Sequence, residues 1–143
     1  MGDISKNFSL AEFAHSKKAF ENGINNVIPN ESVKESIRAL VVDVLQPLRD
    51  SIEASICINS GYRSEALNAL LGGAKTSQHR KGEAADIRSP FVSPLELARR
   101  IVALNLPYDQ VILYPSFVHV SHKRKGVNRK KVLYDSTYNG EKI

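Results

Sequence analysis

The chain has 143 residues, of which 42% are hydrophobic and 24% are charged, ordinary values for a globular protein. This length suffices to bury one core, so we expect a single domain over residues 1–143. No apolar run reaches the length of a membrane-spanning helix, which excludes insertion into a membrane. The single cysteine, Cys57, excludes an internal disulfide.

The first half of the chain predicts a short capped helix and one long amphipathic helix. Ser9 and Glu12 have the spacing of a capping box, and Phe8 and Phe13 are placed to form a hydrophobic staple around it. In residues 31–49, apolar side chains recur every three or four positions, as on the buried face of a helix. Pro47 predicts a kink or a final turn near the end of this helix.

The second half alternates short apolar runs with turn signals. These predict strands at residues 55–59, 83–88, 110–113 and 117–121, helices at 65–71 and 93–105, a loop at 75–81, an edge strand at 132–134 and a loose tail at 135–143. The two strands after residue 109 are expected to form an antiparallel hairpin. The predicted fold class is α+β, with a small central antiparallel sheet flanked by helices.

Two of the predicted strands carry residues that bind metals. Gly82 lets the chain turn so that His79 comes back over the strand that contains Asp86, and Ala84 leaves room beside this carboxylate. His119 lies on a separate short strand. Two imidazoles and one carboxylate are the ligand set of a catalytic zinc site, in which a fourth position stays open for water. The spacing of the first histidine and the aspartate alone is weak, since two helical turns align them equally well.

Several motifs occur in a fixed order along the chain. They are Ser60-Gly61-Tyr62-Arg63-Ser64, Gly72-Gly73, Ser77-x-His79-x-x-Gly82-x-Ala84-x-Asp86 and Val118-His119-Val120. Together they resemble the zinc D-alanyl-D-alanine peptidases, which have the hedgehog/DD-peptidase fold and cut peptidoglycan stem peptides. The resemblance covers roughly residues 6 to 133.

The resemblance implies a Zn²⁺ cofactor and a role for six residues. These are His79, Asp86 and His119 as zinc ligands, Ser77 and Gln78 near the substrate's peptide or carboxylate, and Arg63 beside the metal. The arginine would stabilise the carbonyl oxygen as it becomes anionic. From the residues alone, Arg63 lies in a strand-to-helix loop, and a surface salt bridge is the alternative.

The chain departs from the family pattern at the general base. Many members carry a glutamate shortly after the Asp-Gln strand, and Tyr114 occupies that place here. A tyrosine hydroxyl is a poor base at neutral pH. His122 and Glu83 are the alternative bases, although strand alternation points His122 away from the site, which suits a solvent-exposed strand end. The candidate catalytic residues are therefore Arg63, His122 and Tyr114.

Three functions follow. The first is a zinc peptidase that cuts peptidoglycan stem peptides or cross-links, as a D,D-carboxypeptidase or an endopeptidase, and so lyses the cell wall. The second, motivated by Tyr114, is a catalytically impaired zinc-containing domain that binds the cell wall. The third is a nucleic-acid-binding protein, motivated by the net charge of +5 and the basic triplets at residues 123–125 and 129–131. No nucleic-acid-binding motif accompanies these triplets, so the third is least favoured.

The N-terminal residues 1–13 carry Asp3 and Glu12 and lack the apolar core of a signal peptide. We therefore expect synthesis in the cytoplasm and action on the cell wall after release by another route. Such a route fits a phage-encoded lysis protein that leaves through a pore or is carried in the virion. The expected partner is peptidoglycan, with no nucleic acid, and the expected state is a monomer.

Overall fold

The computed structural model describes residues 2–143, and Met1, the first residue of the predicted domain, lies outside them. The helices are α1 (Leu10–Ala14), α2 (Lys17–Glu21), α3 (Glu31–Leu40), α4 (Gln46–Ile52), α5 (Glu65–Leu70) and α6 (Pro94–Ala103). A π-helical segment (Val41–Leu45) joins α3 to α4, and a 3₁₀ turn (Gln78–Lys81) follows α5. The strands are β1 (Cys57–Ser60), β2 (Ala84–Arg88), β3 (Gln110–Leu113), β4 (Val118–Ser121) and β5 (Lys131–Tyr134).

The strands form one sheet in the order β1-β2-β4-β3-β5. The first four are paired antiparallel, which includes the predicted hairpin of β3 and β4, whereas β5 runs parallel to β3. Because β4 is already flanked by β2 and β3, the last strand joins the free edge of β3. The α+β class is confirmed, and the sheet is mixed at this edge, where an antiparallel sheet was predicted.

The two faces of the sheet have opposite character, as strand alternation requires. One face carries fully buried apolar side chains that pack with the helices into the core; on the sheet these are Ala85, Ile87, Val111, Leu113, Val118 and Val120. The intervening positions, which include Asp86, Ile112 and His119, point to the other face. The core therefore fixes the strands, and the polar residues of the opposite face are held in register by them.

The predicted helix over residues 31–49 forms, but it runs to Ile52 and changes its winding in the middle. The N–H of Gln46 donates to the carbonyl of Val41, five residues earlier, which is the pairing of a π turn. Pro47, which has no N–H to donate, follows directly and lies in the first turn of α4. The predicted kink is thus a wide turn, and the buried stripe continues through it.

Other local predictions are confirmed. Glu12 accepts a hydrogen bond from the Ser9 N–H at 2.9 Å, and Ser64 caps α5 by accepting from the Leu67 N–H at 3.2 Å. The predicted loop at residues 75–81 contains the 3₁₀ turn. Residues 135–143 have neither helix nor strand, and the loose tail expected there stays a prediction. Tyr138, from that last segment, packs against the core. Among the helices of residues 2–143, each falls short of the length and apolarity that crossing a membrane needs.

Gly82 ends the 3₁₀ turn in a backbone conformation that only glycine adopts easily, with a φ of 75°. A Cβ atom there would lie 2.7 Å from the carbonyl oxygen of Val33 and 3.0 Å from Cγ1 of Ile37, both on α3. We expect Gly82→Ala to lower the free energy of unfolding by about 2–4 kcal/mol, from the left-handed backbone and the close contact together. Urea denaturation of the metal-free protein measures this loss.

Gly72 is the matched control for this substitution, because its φ is 73° and no atom of residues 2–143 beyond its chain neighbours lies within 4 Å of the corresponding Cβ position. Gly72→Ala is expected to cost only the backbone term, about 1 kcal/mol. Equal losses in the two variants would show that the packing of the turn against α3 has no energetic weight.

Candidate metal centre

The pairing of three strands places two of the predicted ligands side by side. Asp86 on β2 is the register partner of His119 on β4, and His119 is in turn the partner of Ile112 on β3. All three lie on the face of the sheet opposite the core. The carboxylate and one imidazole therefore meet because the apolar alternation of their strands fixes the register.

The third predicted ligand, His79, is brought over this row by the 3₁₀ turn between α5 and β2. Its N–H donates to Ser77 Oγ at 3.2 Å, and its carbonyl oxygen accepts from the Arg63 N–H at 3.0 Å. Its ring Nδ1 lies 2.8 Å from the carbonyl oxygen of Gly61. A carbonyl only accepts, so Nδ1 carries the hydrogen and Nε2 keeps its lone pair for the cluster.

The three ligand atoms converge. Oδ1 of Asp86 lies 2.9 Å from Nδ1 of His119 and 3.4 Å from Nε2 of His79. One ligand atom from each residue lies within 4.8 Å of the other two. Ligand atoms of a tetrahedral zinc ion are about 3.3 Å apart at bond lengths of about 2.0 Å. The donor set and its spacing therefore fit a divalent metal ion. Such an ion would also offset the repulsion between the lone pairs that face one another.

Asp86 is buried, and burial alone would raise the pKa of its carboxyl group. The hydrogen bond with His119 and the close approach of His79 outweigh burial and hold this pKa below its usual range. The group is therefore a carboxylate at neutral pH. It supplies the negative charge that a ligand set with two neutral imidazoles needs to hold a dication.

Arg63 lies beside the cluster, as predicted. Its Nη2 is 3.5 Å from Oδ2 of Asp86, the carboxylate oxygen that does not face the histidines, and its Nε donates to Ser60 Oγ at 3.1 Å. Burial lowers the pKa of Arg63, and the charge of Asp86 opposes that shift. A guanidinium stays protonated at neutral pH even so. It is a fixed cation at the edge of the cluster.

Tyr114 follows β3 and stacks on Phe117, with 4.2 Å between ring centroids. Burial raises the pKa of its hydroxyl, and the negative charge of Asp86 raises it further. The hydroxyl is therefore protonated at neutral pH, so it is available as a hydrogen-bond donor and is a poor base.

The cluster lies in a cleft of about 560 Å³, the central cleft, whose walls include both predicted substrate-binding residues. Its lining residues include Arg63, Ser77, Gln78, His79, Lys81, Glu83, Asp86, Gln110, Ile112, Tyr114, His119, Lys123 and Arg129. Gln78 donates from Nε2 to Glu83 Oε1 at 3.3 Å. Four cationic side chains and two carboxylates line the cleft, so its field favours anionic ligands.

His122 is not brought to the cluster, and its predicted exposure at a strand end is wrong. The side chain is buried, with Nδ1 2.5 Å from the carbonyl oxygen of Pro107 and Nε2 3.0 Å from Oδ2 of Asp43. Both partners have oxygen acceptors, and together they fix the orientation of the ring. His122 therefore ties the sheet to the π-helical segment, and it is absent from the walls of the central cleft.

The sequence interpretation missed the residues that support the ligands. The sequence analysis gives Gly61 only as one position of a motif. In the structure its carbonyl orients His79, and a Cβ atom on it would lie 2.8 Å from Cα of Phe13. The missing side chain lets the turn pack directly against α1. Lys123 and Arg129 belong to the basic triplets that motivated the nucleic-acid hypothesis, and the structure places both on the cleft wall.

The fold is α+β with a mostly antiparallel sheet. Its cluster of two imidazoles and a carboxylate beside a guanidinium has the arrangement of a metallohydrolase site. The comparison with protein families identifies the group. The chain belongs to the Peptidase M15 family, whose model matches residues 6–121. A search of curated proteins gave no match.

Proposed function

We propose that the protein is a zinc-dependent peptidase that hydrolyses an amide bond in peptidoglycan stem peptides or cross-links. The observation that carries this proposal is the convergence of His79, Asp86 and His119 beside Arg63 in an open cleft of a Peptidase M15 chain. The cleft has room for an extended peptide, and its cationic lining suits the free carboxylates of stem peptides.

In this proposal His79, Asp86 and His119 hold the zinc ion. When bound, zinc supplies Lewis-acid activation of a water molecule and of the scissile carbonyl group. Arg63 donates N–H groups to the carbonyl oxygen of the substrate as negative charge develops on it. The contact with Asp86 and the hydrogen bond to Ser60 hold the guanidinium in place before the substrate arrives.

Glu83 is the best-placed general base. Its carboxylate lines the central cleft and is not part of the His79, Asp86 and His119 cluster. It would accept the proton of the attacking water and pass it to the leaving amine. Tyr114, protonated and facing the same cleft, would donate a hydrogen bond to the substrate. His122 is buried elsewhere and has no such role.

The partner in this proposal is the cell wall, so the protein would act outside the cytoplasmic membrane, as a lysis enzyme does. Ser77 and Gln78 would contact the peptide next to the bond that is cut. One alternative has its own support. Because Tyr114 stands at the place of the family's base and stays protonated, the chain would alternatively be a zinc-containing domain that binds the wall without cutting it.

Digestion of purified sacculi, followed by mass spectrometry of the released products, tests the proposal. We expect release that stops when a chelator removes the metal, with free D-alanine indicating a carboxypeptidase and paired peptide fragments an endopeptidase. Glu83→Gln should keep its zinc and slow release by about 10²- to 10⁴-fold.

Sacculi that stay intact but retain the zinc-loaded protein would support the wall-binding alternative. Sacculi that stay intact and retain nothing would refute both functions.

A further inference from the structure

We propose that Lys123 and Arg129 form a carboxylate-binding subsite in the central cleft, which recognises an anionic group of the peptide near the bond that is cut. This inference rests on the proposed function and names a determinant of its specificity. The two residues share the cleft with the metal cluster, and among residues 2–143 they form no hydrogen bond or ion pair with its ligands.

Arg129 is fixed by Asp109, whose side chain is fully buried. Nε of Arg129 donates to Oδ1 of Asp109 at 3.0 Å, and Nη2 donates to Oδ2 at 2.7 Å. The backbone N–H of Arg129 also donates to Oδ1, at 2.9 Å. This side chain is held in one orientation, and within residues 2–143 its Nη1 group makes no hydrogen bond. Those donors remain available to a ligand.

Lys123 lies beside the same carboxylate, but its ammonium group donates no hydrogen bond to it. Its Nζ is 3.8 Å from Oδ1 of Asp109, which is beyond hydrogen-bond distance. Its backbone is fixed by Asn128, which accepts from the Lys123 N–H at 2.7 Å and donates to its carbonyl oxygen at 3.2 Å. The loop thus presents a positioned ammonium group with free donors at the wall of the cleft.

The charge balance of this group calls for an anion. Asp109 neutralises one of the two cations, and hydrogen bonds from Arg129 lower the pKa of Asp109 to about 2, so it is ionised at neutral pH. One positive charge is left over, shared between a fork-shaped guanidinium and an ammonium group. A carboxylate takes up both kinds of donor, and a peptide in this cleft carries carboxylates at its C-terminus and on acidic side chains.

The test compares Lys123→Gln with Lys131→Gln in the metal-free protein. Both variants lose one positive charge, but Lys131 lies on the exposed edge strand and does not line the central cleft. The probe is a peptidoglycan stem pentapeptide with free carboxylates, titrated by calorimetry. We expect Kd to rise about tenfold in Lys123→Gln, from the loss of a charge-assisted hydrogen bond, and to stay unchanged in Lys131→Gln. Lys123→Arg should restore binding.

Two analogues identify the carboxylate. In one pentapeptide the C-terminus is an amide, and in the other the acidic side-chain carboxylates are amides. The analogue that lacks the recognised carboxylate should bind to wild type and Lys123→Gln with equal Kd. Whichever of the two analogues behaves in this way identifies the carboxylate and supports the subsite. Equal binding of all peptides by wild type and Lys123→Gln overturns it. Since no metal or turnover is involved, sacculi that stay uncut would refute the peptidase function without affecting this result.

Discussion

Replacing His79 with alanine is expected to abolish stoichiometric zinc binding. The variant keeps Asp86 and His119 but loses the donor that the 3₁₀ turn brings over the sheet. Even a change outside the ligand shell typically costs 10- to 100-fold in metal affinity, so loss of a ligand should weaken binding by more than about 100-fold. Metal analysis after dialysis measures this directly. Added zinc should also raise the melting temperature of the wild type and not that of the variant.

His15→Ala is the matched control, because His15 is exposed and lies outside the cluster. It should bind one zinc ion per chain, as the wild type should. Circular dichroism of both metal-free variants separates lost ligation from lost folding. Full zinc occupancy in a folded His79→Ala protein would mean that zinc binds elsewhere, and the proposed reaction would lose its basis.

The positions of these ligands were readable from the sequence because each depends on local rules. Gly82 marks the turn that returns His79 toward β2, and alternation within β4 puts His119 on the face away from the core. Fold class and most element bounds follow from the same periodicities, since apolar side chains at period two or at three- and four-residue spacing must be buried. Local patterning therefore pointed to the three residues, and the resemblance to the zinc D-alanyl-D-alanine peptidases implied their role as ligands.

The features that the sequence did not reveal are pairings between distant residues. Asp109 and Arg129 are twenty positions apart, and Asp43 and His122 are seventy-nine apart. Each pair includes a charged residue in a segment whose composition is also typical of an exposed loop or helix face, so its burial or pairing is not visible in the sequence. The parallel edge strand is of the same kind, because only the completed sheet shows which edge is free. Long-range electrostatics thus shaped the cleft walls beyond what periodicity predicts.

Replacing Arg63 with alanine is expected to leave zinc bound and to lower kcat by about 10²- to 10³-fold, as loss of one oxyanion donor does. Its Nη2 contacts Oδ2 of Asp86, whereas Oδ1 faces the histidines, so the substitution leaves the ligand oxygen in place. Bound zinc would balance the negative charge of the carboxylate in the absence of the guanidinium. In the proposed reaction the guanidinium would act mainly on charge that develops in the transition state, so KM should change little. Zinc content and steady-state release of peptide products measure both effects.

Arg88→Ala is the control. Arg88 is an exposed arginine at the end of β2, the strand that carries Asp86, and it is hydrogen-bonded to Asn59. It should keep both zinc and turnover. Arg63→Lys retains a positive charge but not the fork that reaches Ser60 and Asp86 together, so it should recover part of the lost kcat. If Arg63→Ala turned over at the wild-type rate, the guanidinium would have no part in the reaction. If it lost zinc, Arg63 would instead be a support for the metal ligand Asp86.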